Sequence, residues 1–188
     1  MSACDAVPFP YGFGMDPDEP ERINLAEPKA LAGLLGRAGV RFLALSLGIP
    51  AWKPHVGRPF DKPVPGGEVP PEHPLEGVAR HLAAATEIQL SAPGLAVVGA
   101  GYTWLRAFGP RVGAAMVAAG RSSVFGLGRG ALAYPDFAAD LMDDGRLTPG
   151  KVCTTCSLCS YLLRRQKRVG CVVRDPAFKS AVLKGRDV

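Results

Sequence analysis

Four cysteines stand close together near the end of the chain, in the pattern Cys153-x2-Cys156-x2-Cys159-x11-Cys171. Thiolates are soft ligands, and four of them suit an iron–sulfur cluster. Cysteines at i, i+3 and i+6 can wrap one corner of a compact cluster, leaving the fourth ligand to a returning loop. Structural zinc more often uses two separated C-x2-C pairs. Here Cys159 is too close to Cys156 to open a second pair. The spacing therefore favours a 4Fe–4S cluster, with zinc and a metal-free role as the alternatives. The N-terminal stretch MSACDAVPFPYGFG lacks both the basic and the apolar region of a signal peptide. Without a secretion signal, clustered cysteines read as metal ligands rather than disulfides. Cys4 stands apart and reads as a small buried hydrophobe. His55, His73 and His81 read as loop or surface residues rather than ligands.

Two glycine-rich stretches form a second group with chemical potential: VVGAGY at 97–102 and VFGLGRG at 124–130. Each follows an apolar run and precedes helical sequence. Glycine lets backbone N–H groups approach a phosphate without a Cβ in the way. Arg129 adds a guanidinium that can grip phosphate through two bonds. A single Gly-x-Gly is as often only a tight strand-to-helix turn. Neither stretch completes G-x-G-x-x-G, and no acidic residue stands clearly where a dinucleotide site needs one. Two such turns in succession are what a barrel phosphate site after strands 7 and 8 would show.

The elements that must position these groups alternate. Leu31, Leu34, Leu35 and Ala38 share one face of a helix over 29–38, with Pro28 in its first turn and Gly39 just past its end. A buried strand is predicted over Val40–Gly48. A proline- and glycine-rich passage, 49–74, reads as a long loop, and loops of that length are often functional. Helical spacing returns at Leu75, Val78, Ala79, Leu82 and Thr86. A strand and turn follow at Leu95–Gly101. A further helix is marked by Leu105, Phe108, Val112, Ala115 and Ala119 and ended by Gly120. The third strand and turn span Ser122–Gly130, and a short helix runs from Pro135 to Asp144, stopped by Gly145. Alternating helices and strands predict βαβ units and a parallel sheet. Both a doubly wound sheet and part of a (β/α)8 barrel fit that order.

The 188 residues, 47% hydrophobic and 21% charged, suit one globular domain and argue against disorder. No apolar run is long enough to span a membrane, so a cytoplasmic protein is expected. The net charge of +5 is uneven. From Lys151 to Val188 there are nine Lys/Arg against two Asp/Glu, a local +7, whereas the preceding 150 residues carry −2. No nucleic-acid motif accompanies the basic tail. Its charges read as solvated faces or as neighbours of an anionic cofactor.

The segments PFPYGFG (8–14), GGEVPPEHPLEGVARHL (66–82), VVGAGYTWLR (97–106) and GLGRGALAYPDFAADLMDDGRL (126–147) together resemble the C-terminal half of the NADH:flavin oxidoreductase, or old yellow enzyme, family. The cysteine pattern resembles that of its iron–sulfur branch, which includes trimethylamine dehydrogenase and dienoyl-CoA reductase. The resemblance implies the C-terminal half of a TIM barrel, about strands 5–8, over residues 1–150. It implies a Cys-rich iron–sulfur motif and basic tail over 151–188. Met1 then falls in the fifth strand. The family's FMN phosphate is held by the seventh-strand glycine turn and the eighth-strand Gly-Arg, here Gly99, Ala100, Gly101, Gly128 and Arg129. The implied activity is hydride transfer from NAD(P)H through FMN to an acceptor, with electrons exchanged through a 4Fe–4S cluster on Cys153, Cys156, Cys159 and Cys171. The family's substrate-binding pair belongs to the fourth strand. The chain therefore reads as a fragment or split half whose partner is a complementary N-terminal half or a second copy. No residue is assigned as the catalytic acid, and Tyr102 and Tyr134, near the expected mouth, read as packing or loop structure. The competing reading is a non-catalytic electron-transfer or metal-binding module.

Overall fold

The computed structural model describes residues 12–19, 22–49 and 53–183, with side chains described as far as 179. The three apolar runs become three short parallel strands, β1 (Phe42–Ala44), β2 (Ala96–Gly99) and β3 (Val124–Phe125). They pair in the order β1-β2-β3, with Leu43 opposite Val97 and Val98 opposite Val124. Helix α1 (Ala26–Arg37) precedes β1, and α2 (Pro54–Gly57) and α3 (Pro74–Ser91) lie between β1 and β2. A 3-10 segment (Tyr102–Phe108) and α4 (Gly109–Ala118) join β2 to β3. The chain is mixed α/β with a parallel sheet. The family's fifth-strand position at Met1, residues 8–11 of the PFPYGFG segment and Cys4 lie outside the described residues. Among the described residues, no helix is long and apolar enough to cross a membrane.

Helix α1 ends as its sequence requires, with Ala38 as cap and Gly39 at a φ of 87°. Its buried face differs from the leucine stripe. Ala32 is the buried residue, packed with Ala85, Ile88, Ala92, Leu95 and Val97, while Leu31 and Leu34 are exposed. A small side chain lets α1 approach α3 closely, and that approach turns the leucines outward.

Helix α3 opens on a capping box. His73 Nδ1 accepts from the Leu75 N–H at 3.2 Å, and Glu76 accepts from the His73 N–H at 3.2 Å. Its buried face is Val78, His81, Ala84, Ala85, Ile88 and Gln89, one step around from the expected stripe. Two polar residues thus sit in the core. Gln89 is satisfied there: its Nε2 donates to Leu95 O at 3.0 Å, and its Oε1 accepts from the Val97 N–H at 3.1 Å. His81, expected at the surface, is only 2% exposed and its Nδ1 lies 2.8 Å from Gly77 O.

Two further expectations change. The 49–74 passage is not wholly loop, because Pro54 starts the one-turn helix α2. The helix expected through 105–119 is broken where Arg106 takes φ 54° and ψ −127°. Helix α4 buries Gly109, Gly113 and Met116, leaving Phe108, Ala115 and Ala119 exposed. The cause is Phe125, whose ring lies 2.4 Å from where a Gly113 Cβ would be. Beyond β3 come α5 (Arg129–Ala133), α6 (Phe137–Asp144), α7 (Leu158–Arg164) and α8 (Pro176–Leu183). Tyr134, Leu147 and Val152 form a second core with Leu127, Phe137 and Leu141. That core fastens the cysteine segment to the end of β3.

Candidate metal centre

The cysteine segment begins one residue after the buried Val152. Cys153 precedes a tight winding in which Thr155 (φ 54°) and Ser157 (φ 60°) both adopt the left-handed conformation, on either side of Cys156. Cys159 is the second residue of α7, and Cys171 lies in the loop that returns from it. Non-glycine residues pay for left-handed backbone with strain, and the surroundings must hold them there. Thr155 and Ser157 are fully buried and are gripped from the proline-rich passage. Asp61 N–H donates to Thr155 Oγ1 at 3.2 Å, and Arg58 Nη1 donates to Ser157 Oγ at 2.8 Å. Arg174 closes the far side, donating from Nη2 to Val152 O at 3.0 Å.

All four cysteines are free thiols, each half-buried. They line one narrow recess together with Arg129, Leu132, Thr154, Ser157 and Val172. Burial pushes the Cys153 thiol up. The Thr155 N–H, which donates to its Sγ at 3.3 Å, and the Arg129 charge act in the opposite direction. Among the described residues, no three His, Cys, Asp or Glu side chains form a group that could hold a single metal ion. The fit to a cluster therefore rests on the donor chemistry and on the shared recess.

The glycine turns lie side by side because β2 and β3 are neighbours. A Cβ on Gly126 would meet Gly99 O at 2.4 Å, so backbone packs directly on backbone. Gly101 has φ 89°, and a Cβ there would lie 2.8 Å from that of His81. Gly99 is buried beneath Tyr102, Ala100 and Gly101 are half-buried, and Gly128 is exposed just before α5. The Arg129 side chain extends from this turn into the wall of the cysteine recess, and its Nη2 donates to Pro59 O at 2.9 Å. The two groups of residues read from the sequence thus meet at Arg129. Tyr102 and Tyr134 are buried packing residues. Tyr102 tilts against Phe125 with ring centroids 4.9 Å apart, and Tyr134 bonds to Asp140.

The residue that the sequence did not single out is Arg58. Its side chain lies over the Phe60 ring at 4.8 Å, and burial pushes its pKa down to about 10, with Arg129 and Arg164 adding repulsion. Only the length of the passage containing it hinted at a role. No protein-family model, curated protein or solved structure matches this chain.

Proposed function

We propose that this chain is the cluster-bearing, C-terminal half of a flavin-dependent (β/α)8-barrel oxidoreductase that uses NAD(P)H. The observation that carries the reading is the recess shared by Cys153, Cys156, Cys159, Cys171 and Arg129. It joins a four-thiolate ligand set to the Gly-Arg turn of a parallel strand. Three parallel strands in consecutive order, with connecting helices, support an arc of barrel wall.

Bound FMN would supply hydride chemistry and the cluster single-electron transfer. The chain's own residues do the holding. Backbone N–H groups at Gly99, Ala100, Gly101 and Gly128 would hold the flavin phosphate. The Arg129 guanidinium, which also lines the cysteine recess, would hold that phosphate with them. Thr155 and Ser157, locked by Asp61 and Arg58, fix the winding that presents Cys156. The second core, around Tyr134 and Val152, keeps the cysteine segment against the turn. The reading places the substrate-binding residues on a complementary half.

Anaerobic reconstitution with iron and sulfide tests the proposal. About four irons per chain are expected, and Cys153→Ala should abolish their uptake. One tightly held zinc with negligible iron under the same conditions would overturn it. A cluster that forms while no FMN binds, even with a complementary half supplied, would favour a non-catalytic electron-transfer module.

A further inference from the structure

Two guanidinium groups reach the cysteine segment from different elements, Arg129 in the wall of the recess and Arg58 through Ser157, and each is incompletely satisfied. Arg58, just after α2, spends Nη1 on Ser157 Oγ, and Arg129, at the start of α5, spends Nη2 on Pro59 O. Arg58 Nη2 and Arg129 Nη1 are both buried without a hydrogen-bond partner. A buried cation with an idle donor is costly unless an anion meets it. Two such cations that repel each other compound the cost. Among the described residues neither takes part in an ion pair; the carboxylates there pair with Lys29, Arg80, Arg106 and Lys151.

We infer that Arg58 and Arg129 are a built-in counter-charge for the cysteine-bound cluster, setting its reduction potential through their unpaired donors. The inference rests on the cluster reading above. A cubane core on four thiolates carries roughly two net negative charges when oxidised. Two arginines match that charge. Reduction adds one more electron, so cations and N–H donors beside the sulfurs favour the reduced form and raise the potential. Arg129 belongs to the expected phosphate turn. Arg58 comes from the proline-rich passage, which explains why that passage is folded onto the cysteine segment.

The test is a redox titration of the reconstituted full chain, followed by the spectrum of the reduced cluster, in wild type, Arg58→Gln, Arg129→Gln and Arg58→Lys. Iron content and circular dichroism are measured on each. Both Gln variants should hold iron and fold, yet show a reduced-to-oxidised ratio about tenfold lower at a fixed potential. That is a fall of about 59 mV for one electron. Arg58→Lys should keep most of the wild-type value. If Arg58→Gln cannot hold iron, Arg58→Lys decides: retained iron at near-wild-type potential supports the role of charge, and lost iron overturns it. Unchanged potentials in iron-replete Gln variants overturn the inference and leave the cluster reading intact. Zinc without iron in wild type overturns both.

Discussion

At the scale of single residues, the site depends on positions where backbone conformation leaves no freedom. Gly101 combines a φ of 89° with contact against His81, so any side chain there is both strained and obstructed. Gly101→Ala should destabilise the fold by at least about 1–3 kcal/mol and loosen the turn proposed to receive phosphate. Thermal melting of the two proteins checks this, and an unchanged midpoint would mean that the turn relaxes freely. Thr155 is a quieter case. Its side chain, 0% exposed, anchors the cysteine winding to Asp61 by one bond. Thr155→Val keeps the volume and removes that bond, leaving the Asp61 N–H without its acceptor. A loss of about 1–3 kcal/mol is expected, together with poorer iron retention, measured by denaturant titration and metal analysis.

At the scale of elements, α3 is the hinge between core and site. It packs α1 on one side, carries Gln89 to the end of β2 and presses His81 under the Gly101 turn. Burial holds the His81 pKa below its ordinary value of 6.5. The folded state therefore binds the proton less readily than the unfolded chain does. The stabilising contribution is fully present above about pH 6.5 and is lost as pH falls below it. Denaturation curves at pH 7.5 and pH 5.5 should show a loss of stability that His81→Gln largely removes. The same slope in the variant would assign the effect to other groups. The proline-rich passage acts as an element too. After α2 turns the chain back, Arg58 and Asp61 reach the cysteine segment and Pro59 accepts from Arg129.

At the scale of the whole molecule, the sheet ends matter most. Among the described residues β1 has no neighbour on its outer side, and Phe42 on it is 68% exposed. Leu31 and Leu34 on α1 lie exposed in the helix that leads into that strand. Parallel strands are normally covered on both faces, and an uncovered edge invites pairing. The chain should therefore self-associate at micromolar concentration or bind a complementary barrel half. Leu34→Glu removes one apolar contact worth about 1.5–3 kcal/mol, which should weaken self-association by at least about tenfold. Sedimentation velocity over a concentration series reads the effect. A monodisperse wild-type monomer with a sharp cooperative melt would show that the edge is already covered.

The alternation of helix and strand, the parallel sheet, the caps at Gly39, Gly120 and Gly145, and the candidate thiolate set were all legible in the linear order of residues. Such features depend on local backbone preference and on spacing along the chain, which a sequence displays directly. The buried faces were not. Ala32 displaced the leucines on α1, Gly113 gave way to Phe125 on α4, and His81 and Gln89 entered the core. Those outcomes depend on how closely two elements can approach, and that distance is set by partners remote in the chain. Arg58 was invisible for the same reason. It lies 99 residues from Ser157, which its guanidinium touches, and no spacing rule links an arginine in a proline-rich passage to a cysteine winding that far away. Only packing brings its charge to the cysteine winding, because a buried guanidinium must find an acceptor or an anion wherever the fold supplies one.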